Sequence, residues 1–187
     1  MKRTISSLLM LVAGAVAVAD AAELTVGPGD QSSLSFVYRQ MGAPVEGRFT
    51  RYSARISFDP AEPAAAKASL ELDLTSTDAG SAEANEELAG KAWFDTKAHP
   101  QATFLSEGVR ALGDNRYELR GKITIKGRTR ETTAPFTFTP KGDAALFEGG
   151  LVLKRADFAI GEGVWADFGT VANDVQVRFR LLATVGK

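Results

Sequence analysis

A period-two alternation that recurs along the chain limits the fold more than any other feature. In residues 116–126, RYELRGKITIK, Tyr117, Leu119, Gly121, Ile123 and Ile125 fall on one face, and Glu118, Arg120, Lys122, Thr124 and Lys126 on the other. Successive side chains on opposite faces describe a strand with one side on a core and one in water. The same pattern runs through 34–38, 68–75 and 175–183, with further runs at 45–58, 101–110, 130–139 and 145–154. Turn residues separate the runs: Gly113-Asp114-Asn115, Lys126-Gly127-Arg128 and Lys141-Gly142-Asp143 each suit a tight hairpin. Pro60 and Pro140 fall at strand ends, where a missing N–H does little harm. Polar faces left to water point to antiparallel pairing. About eight strands at hairpin spacing predict an all-β domain, either a closed barrel or a sandwich.

One stretch breaks the pattern. Residues 81–90 read SAEANEELAG, with Ser81 as a cap, Glu83 and Glu86 toward the positive end and Gly90 as a stop. That composition predicts a short helix. Trp93, Phe94 and the single histidine, His99, follow it.

The N-terminus is read separately. Lys2 and Arg3 precede an apolar run over 5–18, and Ala19-Asp20-Ala21 fits a small-x-small cleavage site. Residues 1–21 are therefore expected to be a signal peptide, with residues 22–187 as one exported, periplasmic domain. Removing Lys2, Arg3 and Asp20 moves the formal net charge from −1 to −2. Such a balance argues against a nucleic-acid partner. There is no cysteine, so the core has to hold the fold without disulfides.

The chemical inventory is thin. His99 is the one histidine available as a base beside a nucleophile and there is no cysteine, a zinc site needs several His or Cys ligands, and there is no G-x-S-x-G, P-loop or dinucleotide fingerprint. The chain is expected to be non-enzymatic and without a metal. Asp157, Glu162 and Asp167 suit turn chemistry. Arg120, Lys122, Lys126, Arg128 and Arg130 surround the Gly127 hairpin on the expected outer face. They read as a solvated wall or as a patch for a membrane partner. The expected inner face is aromatic: Phe36, Tyr38, Phe49, Phe104, Phe136, Phe138, Phe147, Phe158, Phe168 and Phe179. A barrel of about eight strands either fills with such side chains or encloses one small ligand, and composition leaves both readings open.

The segments SSLSFVYRQMG with VEGRF, GKAWFDTKAHPQATF, YELRGKITIKGRTR, and LKRADFAIGEG with DVQVRFRLLA stand in this order along the chain. Together they resemble the YceI-like family of exported, lipocalin-like lipid-binding proteins. The resemblance implies an extended eight-stranded antiparallel barrel with a short helix closing one end. It also implies a tunnel for an isoprenoid, a quinone or polyprenyl lipid, and no other cofactor. On this reading Trp93 and Phe94 line or plug the tunnel with Leu88 beneath them. Phe36, Tyr38, Phe49, Leu70, Leu72, Phe104, Ile123, Phe136, Phe138, Phe158 and Phe179 line the rest. Positions where relatives carry histidine read Gln31 and Gln40, which leaves Gln31, Arg39 and Gln40 to meet a polar head group. The resemblance further implies a membrane b-type cytochrome as partner. Edge strands and the lid leave room for a homodimer. The competing expectation is an interaction module with a filled core, acting through its basic hairpin on a membrane or electron-transfer partner.

Overall fold

The computed structural model describes residues 23–27, 29 and 31–185, so the leader expected over 1–21 lies outside the described residues. The strands are β1 (Glu23–Val26), β2 (Ser33–Gln40), β3 (Ala43–Phe49), β4 (Tyr52–Ser57), β5 (Lys67–Asp73), β6 (Thr77–Asp78), β7 (Gln101–Gly113), β8 (Arg116–Ile125), β9 (Arg128–Lys141), β10 (Ala144–Lys154) and β11 (Asp174–Val185). The helix is α1 (Ala82–Ala89).

These strands make eight walls, because three walls are bent or interrupted. β2 and β1 lie along the same edge of β11, with Phe36 opposite Val177 and Leu24 opposite Val185. β3 and β4 form one wall bent at Thr50 and Arg51, and β5 and β6 another, bent through the tight turn Leu74–Ser76. The bends are tied together: the Thr50 N–H donates to the Ser76 carbonyl at 3.2 Å and the Arg51 N–H to Ser76 Oγ at 3.0 Å. β1 pairs with both β4 and β11, and this closes an antiparallel eight-stranded barrel.

The turns follow the local chemistry. Asp114 and Asn115 have φ of 53° and 56°, and Lys126 and Gly127 have 49° and 71°. Positive φ at both central residues gives the two-residue hairpin whose twist matches its strands. Ser81 Oγ accepts from the Ala84 N–H at 3.2 Å and starts α1, and Gly90 stops it. The predicted helix is present, one residue shorter at each end than the segment that carries its caps.

The two ends of the barrel differ. At the distal end, near the 114–115 and 142–143 turns, Phe58 meets Tyr117, Phe138 and Phe147 with ring centroids 5.0–5.6 Å apart. Phe136 joins the same cluster, 5.3 Å from Tyr117. At the other end α1, the segment 90–100 and the segment 155–173 form a lid.

Candidate functional site

Between these ends lies an apolar cavity of about 220 Å³. Its existence follows from how the wall phenylalanines are seated. Phe36 stands opposite Gly47, and Phe179 opposite Gly149. Phe104 lies over Gly121 of the neighbouring strand. A Cβ on any of the three glycines would run into the ring beside it. Each ring therefore lies back against the wall instead of standing across the bore. Large inward side chains would otherwise fill a barrel of this size.

The structure brings together thirteen of the fourteen residues expected in the tunnel. Phe36, Tyr38, Phe49, Leu70, Leu72, Leu88, Trp93, Phe94, Phe104, Ile123, Phe136, Phe158 and Phe179 all border the cavity. Phe138 does not. It sits opposite Phe147, nearer the distal end, and its ring packs into the aromatic cluster. Phe168, also expected inside, is 50% exposed on the lid segment.

The expected polar contacts stand away from the cavity. Gln31 is an exposed turn residue before β2. Arg39 is on the outward-facing side of β2, and its Nη1 donates to the Gly42 carbonyl at 2.9 Å. Gln40 continues the inward face beyond Tyr38 without bordering the cavity itself, and the strand end there bridges to Val171 of the lid, which does border it. Polar groups inside are few. Burial raises the Tyr38 phenol above its ordinary value, and the same cause raises Tyr52. The Tyr52 hydroxyl is the one buried side-chain polar atom without a hydrogen-bond partner among the described residues.

The residue missed at the sequence level is Arg155, which borders the cavity and is 2% exposed. Nε donates to the Ala172 carbonyl at 3.1 Å, Nη1 to Ile160 and Gly161 at 2.8 Å, and Nη2 to Trp165 at 2.7 Å and Val171 at 2.8 Å. A guanidinium has five N–H donors, and backbone carbonyls of the lid take all of them. Burial pulls the Arg155 pKa down and the Asp167 charge pushes it back up. The group stays a cation, as guanidinium does in proteins. The Arg155 guanidinium carbon also lies 5.7 Å from the Trp93 ring centroid and 5.2 Å from that of Phe168. This contact holds Phe168 in the lid rather than in the bore. Gly161 is required twice over: its φ is +75°, and a Cβ would strike Arg155 Nη1. The only sequence signal was an arginine opening the quoted RADFAIGEG segment, with no acidic partner fixed by spacing.

Two further contacts close the lid. Glu87 Oε1 of α1 accepts from Trp93 Nε1 at 3.2 Å and from Trp165 Nε1 at 2.6 Å. Lys126 Nζ donates to the Lys91 and Ala159 carbonyls, both at 2.7 Å, and pairs with Glu162 at 3.3 Å. Lys126 thus turns into the lid instead of joining an outer basic patch. Arg120 and Lys122 do face outward, and both pair with Glu107. Asp167 does turn work, accepting from the Gly169 and Thr170 N–H groups and the Thr170 hydroxyl. These bonds, the Gly169 one first, hold its carboxyl below its ordinary value. No cluster of three histidine, aspartate or glutamate side chains able to hold a metal occurs among the described residues.

Residues 25–183 match the model of the YceI-like domain. The chain belongs to the YceI-like family. A UPF0312 protein of Azotobacter vinelandii is 28% identical over 156 residues, which cover 80% of this chain and 79% of that one. The crystal structure of Burkholderia cenocepacia BcnA is similar with a TM-score of 0.80 at 43% identity, over 82% of this chain and 96% of that one. A polyisoprenoid binding domain from Saccharophagus degradans, implicated in plant cell wall breakdown, shares the fold with a TM-score of 0.69 at 17% identity. That match covers 89% of this chain and 99% of the domain. This YceI-like chain thus has the barrel that the resemblance implied.

Proposed function

We propose that this YceI-like protein binds and sequesters a long apolar chain, an isoprenoid lipid or a close analogue, in the periplasm. The observation that carries the reading is the cavity whose wall phenylalanines are laid flat on glycines. A packed interaction module has no use for such an arrangement. Family membership and the fold shared with a polyisoprenoid binding domain support it. Burial of each CH₂ contributes roughly 0.8 kcal/mol before ordering costs, so a chain of several isoprene units binds with few polar contacts. Arg155, the buried cation at the cavity, has no donor left for a substrate. The role we propose is carriage of the lipid.

Organic extraction of the protein purified from its own host, followed by mass spectrometry, tests this reading. A long apolar lipid at near-stoichiometric yield is the expected result. The folded Phe104→Glu variant should carry none, and a variant that keeps its lipid shows that the cavity is not the site. A homodimer and a membrane b-type cytochrome partner belong to the same proposal. Light scattering tests the first, and co-purification from solubilised membranes the second.

A further inference from the structure

The barrel wall is unzipped along one seam. β9 and β10 pair only from Ala144 opposite Lys141 to Gly149 opposite Phe136. Beyond that point β10 bonds to β11 alone, through Lys154, and residues 128–134 of β9 bond to β8 alone. A proline stops the ladder. The Phe138 N–H points toward β8, to the Asn115 carbonyl. By strand alternation the odd-numbered residues of β9 turn their N–H toward β10, and at 135 that N–H is missing.

Side chains on both edges of the seam border the cavity: Thr132 and Ala134 on β9, Leu151 and Leu153 on β10. The tight turn Arg155–Phe158 packs across it. Elsewhere a paired wall can part only by breaking backbone hydrogen bonds. Here no strand-to-strand hydrogen bond has to break, and the Arg155–Phe158 turn and the side chains of both edges fill the gap. The other long stretch bonded on one side only, 107–113 of β7, pairs with β8 and is roofed on its open side by the segment 58–66. Its Arg110 is paired with Glu118, and Lys67 lies at its rim.

The inner face of β9 along the seam grades from apolar to cationic. Cross-strand partners share a face. Ala134 opposite Leu119 is 3% exposed, Thr132 is half-buried, and Arg130 and Arg128 stand opposite Ile123 and Ile125 of the cavity wall yet are exposed. Neither arginine makes an ion pair among the described residues. The sequence put these two on the outer face with Arg120 and Lys122. The register puts them on the inner face, where the open seam lets them reach water. The cavity volume agrees with such an exit: about 220 Å³ is below the roughly 300–1,000 Å³ usual for drug-sized ligands. A long chain therefore needs room beyond the closed bore.

We propose that the β9–β10 seam is the ligand portal, and that Arg128 and Arg130 form a subsite for an anionic oxygen head, such as a phosphate, on an amphiphile whose tail lies in the cavity. This rests on the lipid-binding reading above. The test compares farnesyl phosphate with farnesol, by calorimetry, on the wild type, on Arg128→Gln/Arg130→Gln and on Lys67→Gln. Both arginines are exposed, so melting temperature should not move. The double variant should weaken farnesyl phosphate about tenfold or more and leave farnesol within about twofold, with Lys67→Gln unchanged for both. Equal loss on both probes, no loss on either, or the same effect from Lys67→Gln overturns the subsite. Wild-type protein that binds farnesol but not the phosphate also overturns it and leaves the lipid-binding reading standing. Wild-type protein that binds neither removes both.

Discussion

The distal end and the lid end of this barrel are both closed, but by different physics. The distal end is a volume problem: Phe58, Tyr117, Phe136, Phe138 and Phe147 fill it ring against ring. The lid end is a hydrogen-bonding problem, in which segments with little regular structure are held by Arg155, Glu87 and Lys126. Close packing resists any change of shape. A set of polar contacts to loops can be remade, and loop segments open at lower cost than paired strands. The contrast assigns permanence to one end and movement to the other, with the cavity between them.

Four substitutions sharpen or break that contrast. The largest expected effect is Arg155→Met, which leaves five lid carbonyls without their donor. About 5 kcal/mol of stability should go, read by urea denaturation. A loss under about 1 kcal/mol would mean that the lid does not depend on that side chain. Next comes Tyr117→Ala at the distal end, 5% exposed and off the cavity wall, with an expected cost of about 4 kcal/mol and unchanged lipid content. Lost lipid would show that the plug belongs to the binding site. Gly47→Ala is expected to cost only about 1 kcal/mol while driving the Phe36 ring into the bore, so that bound lipid falls sharply. Full lipid retention would show that the glycine seats do not keep the cavity open. The smallest is Glu87→Gln, about 1 kcal/mol. Its readout is tryptophan emission, which should shift to the red as Trp165 loosens from α1. An unmoved spectrum would remove Glu87 from the account of the lid.

The fold was largely legible, because a strand with one wet face writes its period into the residues. The runs around 116–126 and 175–183 became β8 and β11, and the Ser81–Gly90 caps bounded α1. The cavity wall was legible for the same reason: a residue's face is set by its parity. Phe138 was misplaced because parity gives the face and not the height along the barrel, and height decides between plug and cavity. Phe168 was misplaced because it lies outside any strand, where parity says nothing.

The sequence by itself determined the strands, their turns, the capped helix and the set of apolar faces, since each depends on neighbours a few residues apart. Only the tertiary structure decided whether the interior was solid. That outcome turns on Gly47, Gly121 and Gly149 meeting rings from other strands. It also decided the seam and the place of Arg128 and Arg130, because which edge of β9 lacks a partner depends on where β10 turns away. Arg155 was decided by the path of the β10–β11 connection, which wraps five backbone carbonyls, 5 to 17 residues further on, around the guanidinium, and a carbonyl leaves no mark in residue type.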